Sequence, residues 1–297
     1  MSEQLTIAAP SNLLRTSRRS RDQQPFDLFP LFRLAVLIVV SSIVLLPLFA
    51  TAIGGFKGLG ELRTNPLGLP HQWQWRNYLD ILEGARYWRV LGNSLLIASL
   101  TVTITVALSA MAAFAFAHLK FFGSRFLFTY MSLGLMFPIA TAILPLFVRV
   151  RDLGLLDTPW GVILPQSAFY LAMAVLLLRN GFRQLPSELL DAALVDGCGY
   201  FRYFLYVTLP LSRPILSTVA IIAFVNSWNN YIVPLIMLNS DSLYPWPLGL
   251  MAYEGEYMTA WQLVLAFITL TIMPAIIMFL LAQKHIVAGL TAGAVKG

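Results

Sequence analysis

Residues 191–214, DAALVDGCGYFRYFLYVTLPLSRP, are the longest polar interruption in the C-terminal half of an otherwise lipid-soluble chain. Pro186-Ser187 stands just before them. Ser187 is placed to cap a helix. Glu188 falls in the first turn, where negative charge suits the positive end of the helix dipole. Leu190, Ala193, Leu194 and Gly197 follow at i, i+3, i+4 and i+7, one face of that helix. Ala192 and Ala193 are small enough to let it approach another surface closely. Gly197 stands where the helix ends in a left-handed turn, a backbone state that glycine tolerates best. Tyr200, Phe201, Tyr203 and Phe204 come next, and Leu209-Pro210 and Pro214 close the segment. The pattern predicts helix, sharp turn, helix, lying outside the bilayer between two spans.

The rest of the chain supplies the bilayer. Hydrophobic residues make up 58% of 297 and charged residues 11%, with a mean hydropathy of +0.73. Soluble domains carry roughly 25% charged residues, so the class is a polytopic membrane protein. Apolar runs predict six spans: 32–53, 92–117, 126–148, 160–178, 215–238 and 261–282. Prolines 47, 138, 145, 165 and 274 fall inside four of them. The second span is rich in Ser and Ala, which favour close helix packing. The net charge of +6 is no nucleic-acid footprint, because the basic residues sit at span ends. Placing both termini and the loops around 120 and 191 on one side gathers 13 of the 20 Lys and Arg there. Positive charge marks the cytoplasmic side. A lone Cys198 excludes an internal disulfide framework. His71, His118 and His285 are far apart, and no metal-ligand spacing occurs.

Asp191-Ala192-Ala193, Asp196-Gly197, Phe204, Val207, Leu209-Pro210 and Pro214 resemble the EAA signature of permease subunits in ABC importers. The chain departs from that pattern twice: Asp191 stands where Glu is common, and Cys198 where Ala is common. Charge is kept at the first and a small side chain at the second. The resemblance implies an all-α integral membrane protein of six transmembrane helices, the type I importer permease (MetI-like) fold. In the family this loop is the coupling helix, docked in a cleft of a cytoplasmic ATPase. The coupling residues here would be Glu188, Asp191, Ala192, Ala193, Asp196, Gly197, Cys198, Phe204, Leu209 and Pro210, on a helix over 188–200. Read without the resemblance, the segment is an amphipathic loop helix packed on its own protein.

The ending, Gln283 and VAGLTAGAVKG at 287–297, resembles that of maltose-type inner-membrane permeases. The resemblance implies an ATPase contact through Gly289, Thr291, Gly293 and Lys296. The expected organisation is a basic cytoplasmic tail (1–27), a permease domain (28–283) with its coupling loop (182–213), and a cytoplasmic tail (284–297). Such a permease sits in a bacterial inner membrane among lipid. Its partners are two ATPase subunits, a second, homologous permease subunit and an extracytoplasmic substrate-binding protein. It binds no nucleic acid and no cofactor of its own, with ATP and Mg held by the ATPase subunits. The chain itself has no GxxxxGK[ST], and GGFKGLGE at 54–61 lacks both the spacing and the terminal Lys-Ser/Thr.

A solute path is expected in the fifth span, at Asn226, Trp228, Asn229, Asn230 and Tyr231. Amides in an apolar span are costly unless they face water or a partner. Asn matches a hydroxyl-rich neutral solute, and Trp and Tyr faces suit the C–H face of a sugar ring. Interhelical hydrogen bonding is the competing reading of these residues. FVNSWNNYIVP at 224–234 resembles the Trp-Asn region of carbohydrate-type permeases. So, more weakly, do Asn77-Tyr78 and Asn93-Ser94, in and after a loop dense in aromatics that suit the interface. A secondary carrier or channel working without ATP is the alternative function. No predicted span holds an interior Asp or Glu, which argues against proton coupling but leaves sodium coupling open. A membrane enzyme has no support: no nucleophile–base pair, metal cluster or paired intramembrane carboxylates.

Overall fold

The computed structural model describes residues 29–255 and 259–291. Among them, secondary structure is helical apart from turns and one bridge between Glu254 and Thr259. The chain divides into two units, 1–47 and 48–297. The boundary falls at Pro47, inside helix α1 (Phe29–Gly54). The described part of the first unit is the apolar beginning of α1.

The second unit opens with short helices α2 (Leu59–Thr64) and α3 (Arg76–Glu83). It is built around α4 (Ala85–His118), along which α7 (Trp160–Phe182) and α11 (Arg213–Trp228) pack. The cause is written in α4. Ser94, Ala98, Thr101, Thr105, Ser109 and Ala113 recur every three or four residues and are all buried. Small side chains on one face let neighbouring backbones close in, which in lipid stands in for the missing hydrophobic drive between helices. Helix α14 (Trp261–Thr291) packs on α11.

Two predicted spans are not single helices. The run at 126–148 becomes α5 (Ser124–Leu133), a tight turn at Gly134–Met136 and α6 (Ile139–Asp152), bent by 104°. Pro138 is the reason: it removes a donor and forces Phe137 into extended geometry, φ −86°, ψ 111°. The run at 215–238 stops at Trp228 and resumes as α12 (Ile232–Met237). Among the described residues four helices are long and apolar enough to cross a membrane, and up to six spans result if the bent pairs over 124–152 and 200–228 each count as one.

The segment around residue 191 forms α8 (Ser187–Val195), a turn, then α9 (Tyr200–Tyr203) and α10 (Leu209–Leu211). Pro186, not Ser187, occupies the N-cap, and no side chain caps the helix. Ser187 is instead the first helical residue. Between α9 and α10 the chain widens into a π-type turn at Phe204–Thr208, where the Leu209 N–H donates to the Phe204 carbonyl five residues back. Pro210 explains the widening: in a regular helix its ring would press on the Tyr206 carbonyl. A 79° bend at Ser212 then directs the chain into α11. At the opposite end, α13 (Trp246–Gly249) returns the long loop after α12 to the bundle.

Candidate coupling surface and solute path

Helix α8 ends in a Schellman turn. Gly197 has φ +76°, its N–H donates to the Leu194 carbonyl at 3.1 Å, and the Cys198 N–H reaches the Ala193 carbonyl at 2.8 Å. Those two bonds satisfy carbonyls that a helix end otherwise leaves bare. A Cβ on Gly197 would meet nothing within 4 Å. Backbone conformation alone requires glycine within this chain.

The residues singled out at this site divide into two sets. Leu190, Ala193, Cys198, Val207 and Leu209 lean on a core cluster that includes Phe114, Leu178, Tyr203 and Phe204. Phe204 is buried, its ring 5.1 Å from that of Phe114. These residues hold the segment to the bundle. Glu188, Asp191, Ala192, Asp196, Gly197 and Pro210 are exposed. Among the described residues no cation lies within ion-pair distance of the three acids. Asp196 caps the C-terminal end of α8, where the dipole disfavours negative charge. Around the acids, Val195 is 87% exposed and Phe201 67%, with Leu189, Leu194 and Tyr200 also open. Leu194, on the same predicted helix face as Leu190 and Ala193, is exposed. Unpaired acids beside uncovered apolar side chains form a surface suited to a protein partner.

The fifth-span residues separate as well. Asn226 is exposed and lines a small cavity of about 80 Å³ with Thr105, Phe169, Tyr170 and Met173. Its Nδ2 donates to the Ile222 carbonyl at 2.8 Å, and Asn229 makes the same bond to Val225 at 2.9 Å. Asn230 is tied internally: Nδ2 donates to the Tyr170 hydroxyl at 3.2 Å, and Oδ1 accepts the Val233 N–H, capping α12. Tyr231 is exposed. Trp228 is buried, stacked on Phe224 at 5.5 Å, and its carbonyl accepts Trp246 Nε1 at 2.7 Å. The structure thus buries Trp228 while leaving Asn226, Asn229 and Tyr231 exposed.

Residues that sequence reasoning passed over complete this region. Ser227 Oγ and Gln166 Oε1 lie 2.6 Å apart inside the bundle, and Thr101 and Thr105 carry buried hydroxyls without partners among the described residues. The signal available was Gln166-Ser167 within the apolar run of α7. The two Asn dipeptides are structural. Asn77 Nδ2 bonds the Gly55 and Lys57 carbonyls, and the Tyr78 hydroxyl bonds Ala52 O. Asn93 bonds the Ser242 and Tyr244 carbonyls, and Ser94 Oγ accepts the Trp246 N–H. At the C-terminus, Gly289 and Thr291 fall within α14, while Gly293 and Lys296 lie outside the described residues.

Fold and surface together define a multi-pass helical membrane protein with an uncovered loop helix. Residues 105–291 match the family described as "Binding-protein-dependent transport system inner membrane component". The chain is 34% identical over 263 residues to the diacetylchitobiose uptake system permease protein NgcG of Streptomyces coelicolor, covering 87% of this chain and 86% of that one. It is 35% identical to the arabinooligosaccharides transport system permease protein AraQ of Halalkalibacterium halodurans, at 87% and 93% coverage. It is 31% identical to the sulfoquinovosyl glycerol transport system permease protein SmoH of Agrobacterium fabrum, at 81% and 85% coverage. The fold resembles a chain in the crystal structure of a bacterial ABC transporter that imports alginate, with a TM-score of 0.76 at 21% identity. That match covers 86% of this chain and 96% of that one. The chain belongs to this family: it is a membrane-spanning, non-catalytic permease subunit of an ABC importer, related to sugar-transport permeases.

Proposed function

We propose that this permease moves a sugar or sugar-like solute by alternating access, an oligosaccharide, glycoside, polyol or glycerol derivative. Its named relatives handle solutes of that kind. The observation that carries the mechanism is α8 with its glycine turn: three unpaired acids and exposed apolar side chains, backed by a firmly packed inner face. That arrangement transmits force. The outer side is free for one partner, and Phe204, Tyr203 and Leu209 pass its movement to α4, α7 and α11.

In this reading two ATPase subunits hold ATP and Mg, one of them seated on α8. A second, homologous permease completes the path, and both termini are cytoplasmic. A loaded binding protein docks at the far end. Asn226, Asn229 and Tyr231, with Tyr170 and Thr105 nearby, contribute polar and aromatic groups to the path. Gly289, Thr291, Gly293 and Lys296 extend the ATPase contact. The alternative of a carrier without an ATPase finds no support among the relatives.

The test is uptake by membrane vesicles holding the complete importer, across a panel of labelled oligosaccharides, polyols and amino acids. Gly197→Asp is expected to assemble poorly with the ATPase subunits or to hydrolyse ATP without uptake. Normal coupled uptake by that variant overturns the assignment of α8. Stimulation by an amino acid and by no sugar overturns the cargo class.

A further inference from the structure

At the end of the bundle that carries α8, the turn from α4 to α5 borders an open cavity of about 910 Å³. Three cations line it, Lys120, Arg125 and Arg179, with Phe121, Phe126 and Phe128 between them. Arg179 is held in place twice. Its Nε donates to the Phe116 carbonyl at 3.2 Å, and its guanidinium lies 4.0 Å over the Phe128 ring. The two Nη groups have no hydrogen bond among the described residues, so their N–H donors are free in the plane of the guanidinium. No described carboxylate lies within ion-pair distance of any of the three cations. A concave site with three cations and no counter-charge calls for an anion.

The surroundings indicate what carries that anion. The site lies where two spanning helices end, α4 at His118 and α7 at Phe182. Phe122 is fully exposed, Phe126 is 70% exposed and Tyr130 67%, the last two stacked at 6.3 Å along α5. A Tyr at a span terminus suits the water–lipid boundary, and exposed Phe rings beside it suit acyl chains. A phospholipid places phosphate on the cations and acyl chain on the rings at once.

We propose that this cavity binds the phosphate of an anionic phospholipid headgroup, with the acyl chains lying along Phe126 and Tyr130. Arginine suits the role because its planar fork presents two parallel N–H donors to a phosphate. Basic pockets between spans are a known form of headgroup site. The proposal needs only a membrane location and is independent of the cargo.

Native mass spectrometry of the complete importer tests it, with phosphatidylglycerol and phosphatidylcholine offered in equal amounts. The wild type is expected to retain phosphatidylglycerol in preference. Lys120→Gln/Arg125→Gln, at two exposed positions, is expected to weaken that retention roughly 30-fold. The charge-matched Arg76→Gln/Arg151→Gln, at the opposite end, is expected to keep it. Equal retention of both lipids, or unchanged retention by Lys120→Gln/Arg125→Gln, overturns the proposal. Displacement of the lipid by millimolar inorganic phosphate assigns the site to free phosphate and overturns it too. So does loss of the ATPase subunits from Lys120→Gln/Arg125→Gln, which gives the cations to the protein partner.

Discussion

The two ends of the unit from Leu48 onward are built to opposite specifications. At the end with the long loop after α12, charges find partners within the chain. Arg86 pairs with Asp241, Glu61 with His71, Arg76 with Asp80 and Glu83, and Arg151 with Asp152. Asp157, at φ +56° in a region that Asp tolerates better than most residues, accepts the Asn239 and Ser240 N–H groups and the Ser240 hydroxyl. It thereby joins the α6–α7 connection to the α12–α13 loop. At the end with α8 every described acid and cation is without an ion pair, and large apolar side chains stand open. The first end pairs these charges within the chain. The second leaves its charges open to partners. Ion pairs on a surface are worth about 0–1 kcal/mol each, so the contrast concerns which surfaces are held in shape rather than overall stability.

Breaking the unfinished end has the largest expected effect. Gly197→Ala adds one methyl in open space, so it acts through φ, at a cost of roughly 1–2 kcal/mol to the turn. Uptake in vesicles should fall severalfold with the ATPase subunits still bound. Gly197→Val, which is β-branched, should abolish uptake. Gly197→Asn, which tolerates the left-handed region, should recover most of it. Equal activity in all three would remove the turn from the mechanism.

Charge reversal sharpens the same contrast. Asp191→Lys/Asp196→Lys should lower recovery of ATPase subunits on the tagged chain, more at low salt than at high, because exposed charges are screened. The same reversal at Asp80 should leave recovery unchanged. Equal losses from both would show that net charge, and not the α8 surface, governs assembly.

The latch at Asp157 predicts a local effect. Asp157→Ala should speed amide exchange at Asn239 and Ser240 about tenfold while ATPase subunits stay bound. Its pH dependence has a definite sign. The Ser240 hydroxyl first, then the Ser240 and Asn239 N–H groups, hold the Asp157 carboxyl below its ordinary value. A lowered folded-state pKa gives stability that is present above the unfolded value and lost as pH falls through the folded one. Relative to the intrinsic amide rate at each pH, exchange at the two amides should therefore be flat between neutral pH and about pH 5, and rise only below roughly pH 4. A rise near pH 6 would assign the latch to a histidine instead. Smallest of all, Arg86→Gln should shift stability by about 0.5 kcal/mol or less, since both partners are solvent-exposed. A larger change in melting temperature would give that pair a role beyond tying the loop.

Much of this is legible in the amino-acid sequence. Apolar run lengths announced the spans, and the spacing of Leu190 and Ala193 ahead of Gly197 announced a helix closed by a left-handed turn. Both are local properties, fixed by side-chain chemistry within a few residues. The breaks were only half legible. Pro138 announced an interruption, but a proline inside a span also occurs without one, as Pro165 in α7 and Pro274 in α14 do. Ser187 illustrates the limit at a single residue. It is a good capping side chain, yet Pro186 already sets the extended geometry of the N-cap, and the helix begins one position earlier than expected.

What the sequence by itself determined is the class of the protein: its membrane character, its helical content, and the glycine turn that ends α8. Those follow from transfer of apolar side chains out of water and from backbone geometry, which neighbours in sequence suffice to fix. Only the tertiary structure decided the work of the individual polar residues. It sent Asn230 to Tyr170 and the start of α12, Asn93 to the loop beyond α12, and Trp228 into the bundle, while leaving Asn226 and Tyr231 exposed. An amide in lipid must find a partner, and which partner depends on what the fold brings within 3 Å or so of it.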